Sequence, residues 1–178
     1  MKAGKKVAFA GMICALSLVF MLLTVVPVME IGLPVMAGSI LVILVIELGV
    51  KWGILGYVAV GFLSMLLAPS FESRILFAVF FGYYPVLKAV IERIRPSFIS
   101  WLVKLALFNV TIGGAYLLLM QLTTMLDPND FTIGGVYLPG VLLLLGNVVF
   151  LIYDIALTRV ISTYLQVWQP KLRKILRF

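Results

Sequence analysis

The sequence has no histidine, and it has one cysteine among 178 residues. Without histidine, most metal centres, Ser–His and Cys–His catalytic pairs and imidazole proton relays are excluded together. Cys14 cannot form a disulfide within the chain; inside an apolar run it is expected to be a small packing residue rather than a nucleophile. No phosphate-binding glycine loop, Gly-x-Ser-x-Gly turn or His-Glu-x-x-His helix occurs, so the chain has no means of its own to hydrolyse ATP. No catalytic residue, metal ligand or cofactor is expected, and the chain reads as a non-enzyme. Long linkers and low-complexity runs are also missing, which predicts one domain over residues 1–178.

Acidic residues are scarce, seven against fourteen Lys and Arg, and apolar residues make up 63% of the chain with a mean hydropathy of +1.20. That composition belongs in lipid rather than in water. A helix needs about 20 mostly apolar residues to cross the hydrocarbon layer. Six such stretches are expected, at 7–27, 33–50, 53–68, 75–91, 98–126 and 137–165. The runs are continuous rather than alternating, which excludes a transmembrane barrel. The first run is too long for the apolar part of a cleavable signal, and no small-residue cleavage site follows it. The predicted class is an all-α polytopic membrane protein with six transmembrane helices.

The basic residues set the expected orientation. With the N-terminus inside, every Lys and Arg except Arg74 falls on the inner side, while Glu30, Glu72, Asp127 and Asp130 fall in outer loops. Inner loops keep Lys and Arg because moving them across the bilayer is disfavoured. Both termini are therefore expected in the cytoplasm of a bacterium, with the chain in its plasma membrane. The net charge of +7 sits at inner helix ends, where anionic membrane lipids rather than nucleic acid are the partner. A basic tail over about 166–178, with Trp168, Lys171, Arg173, Lys174 and Arg177, is expected to lie on the inner headgroups.

Ionisable groups inside a span need a partner or a task. Glu47 with Lys51, and Lys88 with Glu92, have the four-residue spacing of a local helical pair. Asp154 has no such neighbour, and Lys88 or Lys104 on adjacent helices reaches a similar depth, so a cross-helix pair is predicted. In the outer half, Glu30, Glu72, Arg74, Tyr83, Tyr84, Asn109, Gln121 and Asn147 supply aromatic walls and a few amide or charged handles, the composition of a pocket for a small-molecule substrate. Pro85 after Tyr83-Tyr84 is expected to break the fourth span. Taken singly, each of these residues also fits ordinary interhelical bonding or an interfacial belt.

Small residues mark close helix contacts, because lipid gives helices no hydrophobic reason to associate. Ala8, Gly11 and Ala15 share roughly one face of the first span. The basic start Lys5-Lys6 followed by Val-Ala-Phe-Ala-Gly-Met-Ile-Cys-Ala-Leu-Ser, with Gly11 and Ala15 four apart, resembles the first helix of the substrate-binding S components of energy-coupling factor transporters. Gly11 stands where that family often has Ala. The likeness in span count and orientation covers nearly the whole chain. It implies a membrane-embedded, high-affinity subunit for uptake of a vitamin or similar micronutrient, with an outward-facing site closed by the first and third outer loops. It also implies a membrane scaffold subunit touched at Gly11 and Ala15, two cytoplasmic ATPases, and toppling of the subunit to release its cargo.

Two other readings stand beside it. One is a structural or assembly protein of the cell envelope that docks partners through its basic cytoplasmic face. The other is a membrane enzyme or lipid carrier acting on phosphate headgroups, with Glu92 or Asp154 as acid–base groups.

Overall fold

The computed structural model describes residues 3–94, 97–122, 132–133 and 136–171; the side chains at 27, 97, 116, 118–122, 132–133 and 136–139 lie outside that description. Within it the chain is almost wholly helical. Helix α1 is Ala3–Leu22, continued by the tight turns Leu23–Val25 and Pro27–Met29, then come α2 (Gly32–Leu48) and α3 (Val50–Leu67). The short α4 (Phe71–Leu76) runs through a wide turn at Phe77–Phe81 into α5 (Tyr84–Ile91). Helices α6 (Ser97–Leu122) and α7 (Leu138–Thr163) follow, α7 extended by another wide turn at Tyr164–Trp168. Thr132–Ile133 and Val136–Tyr137 form a two-residue antiparallel pair before α7.

Five helical stretches are long and apolar enough to cross a membrane: Ala3–Val25, Val50–Leu67, Phe71–Ile91, Phe98–Ala115 and Gly140–Lys171. The sixth expected span appears as the shorter apolar helix Gly32–Leu48. It ends one residue before α3 begins, because Gly49 reverses the chain with φ at +98°. Only a residue without Cβ takes that conformation cheaply. The expected outer loop containing Asp127 and Asp130, together with Arg95 and the tail residues Arg173, Lys174 and Arg177, lies outside the described residues.

Two cores hold the helices together. The first joins α1, α2 and α3 through Phe9, Ile13, Met21, Leu41, Leu44 and Val60. Ser17 ties it by donating to the Ala37 carbonyl at 2.9 Å. Contact here is close because side chains are small: a Cβ on Gly56 would stand 2.5 Å from Leu44 and one on Gly53 would stand 2.4 Å from Val45. The second core is aromatic. Phe80 lies against Tyr84, Phe108, Phe150 and Tyr153, and Phe108 stacks on Phe150 at 4.8 Å. Large apolar side chains on the remaining faces, such as Phe62, Leu66, Val110 and Leu144, are exposed. That is the distribution of a helix bundle whose surroundings are hydrocarbon.

The fourth stretch is broken as Pro85 requires. The Gly82 amide donates to Phe77, five residues back, at 2.8 Å, instead of to Ala78. The freed Ala78 carbonyl is taken by the Tyr57 hydroxyl of α3 at 2.7 Å. Pro85 then opens α5 in its first turn, where its missing N–H has no helical acceptor to lose. The wide turn also pushes the Phe81 carbonyl against α2, where only Gly38 leaves room; a Cβ there would lie 1.9 Å from that oxygen.

Candidate functional site

The polar residues of α5, α6 and α7 lie in layers. Nearest the basic helix ends is an ionic layer. Asp154 of α7 takes the ammonium of Lys88 on one carboxylate oxygen and that of Lys104 on the other, the latter at 3.1 Å. Both lysines also reach Glu92, each at 2.8 Å. Lys88, Lys104 and Asp154 are buried, while Glu92 is 40% exposed at the rim. Two cations and two anions balance, and the Tyr84 hydroxyl adds a bond to Asp154 at 2.5 Å. Lys104 also lies 5.2 Å from the centre of the Trp101 ring. The cross-helix pair expected from Asp154 is therefore present, with both candidate lysines, and the Lys88–Glu92 pair closes as the spacing predicts. Burial alone would raise the Glu92 carboxyl, but the hydrogen bonds and charges of Lys104 and Lys88 hold it below the ordinary glutamate value.

Above this layer is the aromatic core around Phe80, and beyond it an amide layer. Asn109 of α6 and Asn147 of α7 exchange side-chain hydrogen bonds, 2.8 Å one way and 3.0 Å the other. Each amide also donates to the carbonyl four residues earlier in its own helix, Leu105 and Leu143. The Tyr83 and Thr111 hydroxyls meet at 2.7 Å. Asn109 stands five residues from Lys104 and Asn147 seven from Asp154, so the amide pair is roughly 8–10 Å further from the basic ends.

The remaining expected site residues form a separate group at the other helix ends. The Glu30 carbonyl accepts from the Ser73 hydroxyl at 2.8 Å, and Glu72 lies beside the Glu30 carboxylate. Arg74 caps the end of α3, donating to Met65 at 3.1 Å and to Pro69 at 3.4 Å. Among the described residues no hydrogen bond or ion pair joins this group to Asn109 and Asn147. The Gln121 side chain lies outside the description. Gly11 and Ala15 are on the exposed face of α1, with nothing within 4 Å of where a Gly11 Cβ would be.

Sequence reasoning missed three features. Glu47 accepts from Tyr164 at 3.2 Å and from Gln169 at 2.9 Å, and no ion pair with Lys51 occurs among the described residues. Tyr57 serves the wide turn from α3. The Tyr153 hydroxyl is buried without a hydrogen-bond partner. Glu47, a charge within an apolar run, and Tyr153, beside Asp154, each carried a sequence signal; Tyr57 carried none. Among the described residues no three His, Cys, Asp or Glu side chains gather as a metal donor set. No family model, no curated protein and no solved structure matches the chain.

Proposed function

We propose that this chain is a membrane-embedded binding subunit for uptake of a small micronutrient such as a vitamin, of the kind found in energy-coupling factor transporters. The supporting observation is the layering of α5–α7. The ionic layer seals the half of these helices nearest the basic ends, whereas the other half carries the exchangeable Asn109–Asn147 and Tyr83–Thr111 pairs. A solute with amide or heteroaromatic edges can replace those mutual bonds one for one, and the ionic layer blocks passage to the basic side. The seventeen residues of α2 are within the range that spans a bilayer, giving six crossings. With the basic ends inward, both termini are cytoplasmic and the amide layer faces out, in a bacterial plasma membrane. The exposed small face at Gly11 and Ala15 is then the contact for a membrane scaffold subunit that couples to cytoplasmic ATPases.

A second reading is an envelope-assembly protein docking partners through its basic face. Its support is that the same amides and hydroxyls already satisfy one another. Affinity purification of the tagged chain in mild detergent, followed by mass spectrometry, separates the two. Recovery of a polytopic scaffold with a pair of ATPases supports the transport reading. Recovery of envelope-assembly proteins without them overturns it.

A further inference from the structure

The two amides of the outer layer are held in one orientation by their own helices. The Asn109 side-chain nitrogen donates to the Leu105 carbonyl at 2.8 Å, and that of Asn147 donates to the Leu143 carbonyl at 2.8 Å. Only the nitrogen of a side-chain amide donates, so neither group turns over without losing that bond. The rest of each amide, one N–H and one C=O, points at the other helix. There the two edges meet head to tail at 2.8 and 3.0 Å, the pairing of a lactam dimer.

Either edge therefore asks for the same complement, a donor beside an acceptor at the spacing of one amide. A lactam or carboxamide edge supplies both and replaces the lost partner in full. A carboxylate supplies two acceptors; it meets the N–H but sets an oxygen against the asparagine C=O. An ammonium supplies only donors; it meets the C=O but opposes the N–H. Charge brings neither ion a compensating gain. The nearest ions, Lys88, Lys104, Glu92 and Asp154, are matched two against two among themselves, roughly 8–10 Å away. Both asparagines are half-buried, so an ion at this level also gives up much of its hydration. The Tyr83–Thr111 hydroxyls donate or accept equally well, so they do not set the class.

Shape adds to this. Towards the ionic layer the amides stand on the stacked rings of Phe108 and Phe150, a flat apolar floor. Away from it, Gly113 follows Asn109 by four residues on the same face of α6, and a Cβ there would meet nothing within 4 Å.

We infer that the amide layer selects a neutral, planar solute presenting a lactam or carboxamide edge, and rejects carboxylates and ammonium ions of the same size. This rests on the reading of the chain as a binding subunit and narrows its cargo. A site built to pair a donor and an acceptor discriminates strongly, because the wrong edge leaves one of its own polar groups opposed.

Equilibrium binding to the purified full-length chain in detergent tests this with three bicyclic probes of similar size. They are quinazoline-2,4-dione, which has lactam edges, quinoline-2-carboxylate, and 2-(aminomethyl)quinoline in its ammonium form. The wild-type chain is expected to bind the dione roughly tenfold or more tighter than either ion. Asn147→Asp keeps the shape but turns the donor into an acceptor. It should lose the dione and favour the ammonium, a reversal that a merely structural amide pair would not produce. Equal or tighter binding of either ion by the wild-type chain overturns the inference and leaves the binding-subunit reading standing. That comparison needs no variant, so it holds if Asn147→Asp fails to fold. An unchanged preference for the dione in folded Asn147→Asp overturns the assignment to the amide pair. Failure of all three probes to bind overturns the amide layer as a ligand site; recovery of a scaffold and ATPases with the chain then decides separately whether the transport reading stands.

Discussion

Lys88 and Asp154 are 66 positions apart in the chain, yet they form an ion pair in the interior with 0% and 3% of their side chains exposed. Lys104 and Glu92 complete the arrangement, so α5, α6 and α7 are joined at one level by charge rather than by apolar contact alone. Ions in a bundle interior are tolerated only in such matched sets, because each one stripped of water and left alone is expensive.

Breaking this set from one side is therefore expected to be costly. Asp154→Leu leaves two buried ammonium groups sharing a single carboxylate and should destabilise the protein by about 3–5 kcal/mol. The double variant Lys88→Met, Asp154→Leu keeps the Lys104–Glu92 pair and should lose less than the sum of the two single changes. Thermal unfolding in detergent, read as a double-mutant cycle, measures this. Additive losses would show that the two residues do not stabilise each other.

Glu92 gives the set a pH dependence. Its carboxyl titrates below the ordinary glutamate value in the folded chain, so its contribution is complete above that ordinary value of 4.5 and is lost as the pH falls through the depressed one. The wild-type chain should therefore unfold at a higher temperature than Glu92→Gln near neutral pH, with the gap closing only as the pH falls below the ordinary glutamate value. A gap of constant size across that range would contradict the assignment.

Two glycines should respond oppositely to alanine. Gly38→Ala drives a methyl into the Phe81 carbonyl and should cost about 1–3 kcal/mol or shift α2 off the wide turn. Gly11→Ala meets open space and should leave the unfolding temperature unchanged or slightly raised. Gly11→Leu should likewise leave the isolated chain folded, yet abolish recovery of a scaffold subunit if the small face of α1 is its contact.

The Gly49 turn should tolerate no side chain cheaply. At φ +98° an alanine is strained, with an expected loss of about 1–3 kcal/mol and no change in exposed contacts. An equal unfolding temperature for Gly49→Ala and the wild type would mean that the turn relaxes at little cost.

The Asn109–Asn147 pair separates stability from binding. Removing one amide with Asn147→Leu should cost only about 0.6–2 kcal/mol, as interhelical amide bonds in membranes usually do. The same change should eliminate capture of a small-molecule ligand. Intact ligand capture in a folded Asn147→Leu, Asn109→Leu chain would remove the amide layer from the site.

The sequence by itself determined the all-helical, membrane-embedded character of the chain, because uninterrupted apolar runs are sufficient for that conclusion. It also marked the break at Pro85, through a missing N–H, and the Lys88–Glu92 pair, through spacing within one helix, whereas the same spacing misled for Glu47 and Lys51, which the Gly49 turn puts on different helices. Even the partners of Asp154 were legible, from depth counted along each span. What it did not carry was lateral information. Which helix faces another is set by packing, and two asparagines 38 positions apart give no sign that they bond to each other. The tertiary structure alone decided that Gly38 yields to the Phe81 carbonyl, that Tyr57 repairs the wide turn, and that the Tyr153 hydroxyl is buried. In lipid, apolar patterning cannot report these contacts, because a leucine facing a neighbouring helix and a leucine facing hydrocarbon satisfy the same preference.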